Sequence, residues 1–152
     1  MTDPRYLRSL LALGALALAC GCSALDNCPD GLVDGTTADN SHATIDTENL
    51  VYESAPSSGP LEAFPAKTEV TFEHGLGVTP YLYKAYLSFS PNGTNGAGGG
   101  SITEAAGNEA PIECVDSQVI VIKNDTCERS FYIKVVAVGS ASGDSTDTSC
   151  KP

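Results

Sequence analysis

Past the first twenty residues the apolar positions recur with a period of two rather than 3.6. Thr68–Glu73 (TEVTFE) alternates, with Val70 and Phe72 on one face and Glu69, Thr71 and Glu73 on the other, as in a strand buried on one side. Residues 81–90 (YLYKAYLSFS) form the longest such run. Tyr81, Tyr83, Ala85, Leu87 and Phe89 share one face, and Leu82, Lys84, Tyr86, Ser88 and Ser90 the other. Val119–Lys123 (VIVIK) is an unbroken, mostly β-branched run, the composition of a buried strand. Residues 131–138 (FYIKVVAV) pair back on it after a turn at 124–129, with Phe131, Ile133, Val135 and Ala137 on one face. Residues 49–53 (NLVYE) give one more short strand. Pro56, Gly59, Pro60 and Pro65 interrupt the chain after it. Gly75, Gly77 and Pro80 mark a sharp reversal, the glycines permitting positive φ and the proline fixing the entry to the next strand. Residues 92–101 (NGTNGAGGGS) read as a flexible loop, because ordering so many glycines costs backbone entropy. No later segment has a helical period. The pattern predicts an all-β fold, a single antiparallel β-sandwich of about six strands.

The first residues follow another pattern. Arg5 and Arg8 precede an apolar stretch, 9–19 (SLLALGALALA), that ends among the small residues Ala17, Ala19 and Gly21. A span needs roughly 20 apolar residues, so this stretch is too short to cross a bilayer and reads instead as an export signal. Cys20, directly after Leu18-Ala19, resembles the lipobox of bacterial lipoproteins, although Ala17 stands where that pattern usually has Leu. The resemblance implies cleavage before Cys20 and diacylation of its thiol. Gly21, in place of Asp, implies release to the outer membrane. Cys22 is the alternative attachment point, since its use would leave an even set of four cysteines for disulfides. The expected organisation is a signal peptide (1–19), a flexible acidic tether (20–42), the sandwich (43–139) and a polar C-terminal tail (140–152). Partnership with the membrane would run through the acyl chains.

Charge narrows the function classes. The net charge is −11, with 19 acidic against 8 basic residues. That excludes nucleic-acid binding and a polybasic attachment to anionic lipid. The chain after the signal suffices for one domain, not two. It contains no Trp and only one Met, so its core is modest and crosslinks matter. Each disulfide contributes about 2–4 kcal/mol. Cys114 precedes strand Val119–Lys123 and Cys127 follows it, so the two lie at opposite ends, beyond bonding reach. A returning strand at 131–138 carries the chain back toward Cys114. The expected pairs are therefore Cys114–Cys150 and Cys28–Cys127. No Cys-x2-Cys or paired His accompanies these thiols, so neither zinc nor another cofactor is expected.

Residues 68–90 resemble small β-sandwiches at the tips of phage tail fibres and in H-type lectins. The resemblance is carried by His74-Gly75-Leu76-Gly77, Thr79-Pro80, the β-branched strand at 119–122 and the final aromatic-rich strand at 131–138. It implies a sandwich that contacts sugars, cell surfaces or like subunits. No sugar-contact residue carries over.

Candidate chemistry is sparse. His74 is expected to cap its turn or pack at the turn's edge, and Tyr86, on the more polar strand face, to offer a ring to a sugar or partner. Together they mark the candidate binding surface. His42 and His74 are the only histidines, and no nucleophile motif accompanies them. Glu69 and Glu73 read as solvated charges rather than a glycosidase pair. Asp26, Asn27, Asp30, Asp34 and Asp39 form an acidic spacer with one partial calcium-like unit. The sequons at Asn92 and Asn124 have no use in a bacterial envelope. The expectation is a non-enzymatic, lipid-anchored envelope protein that binds a glycan or an envelope protein, or pairs with its own copy. A small envelope hydrolase or its accessory subunit is the alternative.

Overall fold

The computed structural model describes residues 28–31, 33–56, 59–94 and 101–150. The expected signal peptide, both candidate lipidation sites (Cys20 and Cys22) and most of the glycine-rich loop lie outside the described residues. Ten strands follow in order: β1 (Val33–Thr37), β2 (Thr44–Asp46), β3 (Val51–Glu53), β4 (Glu62–Ala63), β5 (Thr68–Glu73), β6 (Leu82–Ser88), β7 (Thr103–Glu104), β8 (Ile112–Val115), β9 (Val119–Lys123) and β10 (Tyr132–Val138). They form a β-sandwich. One sheet has the order β1-β5-β9-β8; the other runs β2-β3-β10-β6-β7, with β4 also paired to β10.

All five strands expected from the sequence are present, and β5 and β9 have the expected bounds. The extra strands are short edge or bridging pieces. Pairing is antiparallel except between β1 and β5, which run parallel with Val33 opposite Thr68. This corrects the boundary of the expected tether at 20–42. Its last ten residues, 33–42, are built into the fold, because β1 completes the edge of β5 and a 3-10 turn (Asn40–His42) follows it.

The core lies between the sheets. Val70, Phe72, Ile120 and Ile122 on one side meet Tyr52, Ala85, Leu87, Ile133, Val135 and Ala137 on the other, with Phe64 and Phe131 at one end. Connections close the sandwich in pairs. The segment from β1 to β2 crosses one open side through the 3-10 turn at Asn40–His42. The segment from β7 to β8 crosses the other through a 3-10 turn at Gly107–Glu109. The inner strands cross at the tips. β5 leads to β6 through the Gly75/Gly77 reversal, where both glycines take positive φ (63° and 70°) as the sequence requires. β9 leads to β10 through Asn124 and Cys127 at the opposite tip, and this corrects the expected pairing: β10 does not pair back on β9 but crosses to the other sheet, where β3, β4 and β6 are its partners.

Both disulfides have the expected partners, Cys28–Cys127 and Cys114–Cys150. The polar tail is held down along its length. Thr79 donates its N–H to the Asp144 carbonyl (2.8 Å), Ser117 its N–H to the Asp147 carbonyl (3.0 Å), and Cys150 closes the second disulfide.

Candidate functional site

Each tip is organised by a buried polar side chain. At the Gly75/Gly77 tip, Asp116 is almost fully buried. Its carboxylate accepts the N–H groups of Gln118 and Val119 (both 2.8 Å) and of Cys150 (3.0 Å). Burial works to raise the Asp116 pKa, but the N–H donors from Val119, Gln118 and Cys150, with His74 nearby, outweigh it and hold the pKa below the ordinary carboxylate value. His74 sits beside it, 0 % exposed. Its Nδ1 accepts the Leu76 N–H (3.2 Å), so its Nε2 carries the proton and donates to the Asp116 carbonyl (3.1 Å). Burial depresses the His74 pKa against the opposing pull of Asp116. The Tyr52 ring meets His74 edge-on, with centroids 6.3 Å apart. Tyr52 donates its hydroxyl to Asn40 (2.9 Å), and Asn40 donates to the Glu73 carbonyl (2.7 Å), tying the crossover to both sheets.

His74 is therefore removed from the candidate binding surface. The expectation that it holds the turn is met, but inside the protein, because its two ring nitrogens are consumed by backbone partners. Tyr86 is half-buried on the outward face of β6, in register with Lys134 on β10 and Glu104 on β7. That face carries two ion pairs, Lys134–Glu53 and Lys84–Glu104 (2.8 Å). Tyr86 lies in β6 and His74 in the connection just after β5 of the other sheet, so the two do not form one site.

At the opposite tip the organiser is Asn124, also 0 % exposed. Its amide donates to the carbonyls of Phe64 (2.9 Å) and Glu128 (3.1 Å), and its oxygen accepts the Thr126 N–H (3.0 Å) and hydroxyl (2.7 Å). All its hydrogen-bonding capacity is used, so this sequon offers no acceptor nitrogen.

Two surface features were missed by sequence reasoning. The first is the start of β6. Tyr81 is 68 % exposed, and Leu82 and Tyr83 are exposed beside it. β7 pairs only with Tyr86 and Leu87, so among the described strands nothing pairs with the outer edge of β6 at Leu82–Lys84. Tyr81 borders an open groove of about 500 Å³ lined by Thr79, Gly139, Ser140, Ser142 and Gly143. The second feature is a cavity of about 190 Å³ under the crossover at 38–42, where Asp39, His42, Ser54 and Glu62 surround Ala38, Leu61 and Phe72. Three of its polar groups, Asp39, Glu62 and Ser54, are engaged. The Asp39 carboxylate accepts from Ser41 N–H and hydroxyl (both 2.9 Å), which holds its pKa below the ordinary value. Glu62 accepts the Asp39 N–H (3.1 Å), and the Ser54 hydroxyl oxygen accepts the Val135 N–H (2.9 Å).

No group of three or more His, Cys, Asp or Glu side chains placed to hold a metal ion occurs among the described residues. Comparison with protein-family models, curated proteins and solved structures returns no match to this chain.

Proposed function

We propose that the chain is a lipid-anchored protein of the bacterial envelope whose sandwich binds rather than catalyses, with a glycan as the ligand class. The observation that carries the binding reading is Tyr81. Its flat ring stands largely exposed beside a groove lined by three hydroxyl side chains and two glycines. Such a ring offers an apolar face to the C–H side of a sugar, and the hydroxyls offer hydrogen bonds around it. Anchoring rests on the N-terminal sequence. The paired cysteines support it, since Cys28, Cys114, Cys127 and Cys150 are all bonded and leave Cys20 and Cys22 to carry lipid.

A glycan array tests the binding reading, using a secreted form with the signal exchanged and Cys20 and Cys22 changed to Ser. Binding that Tyr81→Ala removes supports the reading. An array without a hit, or hits indifferent to Tyr81, contradicts it.

The enzyme reading is favoured by one observation, the cavity that places His42 with Asp39, Glu62 and Ser54. Against it, Ser54 accepts from the backbone and no hydrogen bond joins it to His42 among the described residues. Hydrolysis of chromogenic esters or glycosides that His42→Ala abolishes would favour the enzyme over the binder.

A further inference from the structure

We infer that the Cys127 tip of the sandwich rests on the lipid surface and the Tyr81 tip faces away from it, an orientation that rests on the proposed acylation of Cys20 or Cys22. Two separate features bring the chain in at the same tip. Cys28 is bonded to Cys127 in the β9–β10 connection. β1 then enters parallel to β5 with Val33 opposite Thr68, and Thr68 accepts the Asn124 N–H (2.8 Å) at that same tip. Eight residue steps separate Cys20 from Cys28, a leash of at most about 29 Å even when fully extended. The register of β6 on β10 sets the long axis. Ser88 and Tyr132 lie at the near tip, Leu82 and Val138 at the far one, roughly 20 Å away at a strand's rise per residue.

The charge of the two tips differs in the sense this orientation requires, while exposed apolar side chains occur at both, Phe89 at the near tip and Ile45, Tyr81, Leu82 and Tyr83 at the far one. At the near tip Phe89 is 67 % exposed, its ring against Phe131 with centroids 5.1 Å apart. Lys67 and Lys123 converge on Asp125 there (2.9 and 3.5 Å), and Arg129 follows Cys127 by two positions. These are three of the six Lys and Arg that follow Cys20, set against Asp30, Glu62, Glu69, Glu109, Asp125 and Glu128. The far tip, built from 44–50, 74–83, 116–119 and 138–150, contains no Lys or Arg and carries Asp46, Glu48, Asp116, Asp144 and Asp147. An anionic lipid surface repels the far tip, which has no cation, more strongly than the near one, whose acids are offset by three, and an exposed Phe suits the boundary between headgroups and acyl chains.

The absence of native Trp gives a clean reporter. Full-length lipidated protein carrying Phe89→Trp or Tyr81→Trp is reconstituted on phosphatidylethanolamine–phosphatidylglycerol vesicles doped with brominated lipid. With the ring sitting at the depth of an interfacial side chain, emission from F89W should fall to about half, while Y81W stays unquenched. Hydrogen exchange on the unsubstituted protein gives a second readout, vesicles slowing residues 124–130 but not 74–81. Equal quenching of both reporters, quenching of Y81W alone, or no quenching of either while the protein still floats with the vesicles overturns the orientation and leaves the anchor standing. Failure to float overturns the anchor and the orientation together.

Discussion

The two tips of the sandwich solve the same packing problem with different chemistry. Each must bury a polar turn where inner strands cross between the sheets. The Cys127 tip does so with a neutral amide, Asn124, which donates twice and accepts twice. The far tip uses a carboxylate, Asp116, against a buried imidazole, His74. Both hold the chain in place at neutral pH, but of the two organisers only Asp116 with its His74 neighbour can titrate. The organiser of the tip assigned to the lipid surface is thus indifferent to acid, and the organiser of the tip assigned to contact with a ligand is not.

The largest effect should come from the staples. Replacing Cys28 and Cys127 by Ser opens the crosslink across 99 residues and should cost about 4 to 5 kcal/mol. The Cys114/Cys150 crosslink spans 36 residues, and its removal should cost about 1 kcal/mol less. Urea midpoints of the two double variants measure both, and the order of the two is the informative result.

The next comparison removes the organisers. Asn124→Ala should cost roughly 2–3 kcal/mol, because it strands buried backbone carbonyls. Asp116→Ala should cost a similar amount at pH 7 for the three N–H groups it strands. The two should part on acidification. Asp116 has a depressed folded pKa, so its contribution is present above its unfolded value near 3.8 and is lost as pH falls through the folded pKa. The penalty of Asp116→Ala should therefore shrink in acid while that of Asn124→Ala stays level. Equal pH dependence in both would remove the distinction between the tips.

His74 gives a smaller effect at a higher pH. Its folded pKa lies below the unfolded value of 6.5, so the unfolded chain binds the proton more readily. Stability should start to fall as pH drops below about 6.5 and go on falling until the folded-state pKa is passed. His74→Gln should flatten that part of the pH–stability curve. The smallest effect belongs to the surface. Tyr81→Ala should change stability by less than about 0.5 kcal/mol while abolishing ligand capture, so a large loss of stability would mark Tyr81 as a structural residue.

The long strands were legible because alternation is a local property. β5, β6 and β10 each have six or more residues over which a period of two can be read, and β9 is an unbroken β-branched run of five. The disulfide pairing was legible for a related reason, since strand direction alone decides which ends meet. β1 was not, because VDGTT offers a single large apolar residue and owes its strand to the neighbouring edge of β5. β2, β4 and β7 are two or three residues long and have no period to read. The same limit explains the candidate surface. Parity along β6 assigned Tyr81, Tyr83 and Phe89 to the buried face, and it is the right face for Ala85 and Leu87. The strand runs past the covering sheet at both ends, so the outer members of the row emerge into solvent. His74 reads as an edge residue because histidine is polar. Its burial depends on backbone partners at Leu76 and Asp116, the second of them brought in by a distant part of the chain.

The account depends most on lipid at the N-terminal cysteine, and intact-mass spectrometry of protein extracted from the producing cell's membranes tests this directly. The predicted species starts at Cys20, carries acyl chains, contains two disulfides and has one free thiol, at Cys22. A chain that keeps residues 1–19 with neither Cys20 nor Cys22 modified would contradict the account.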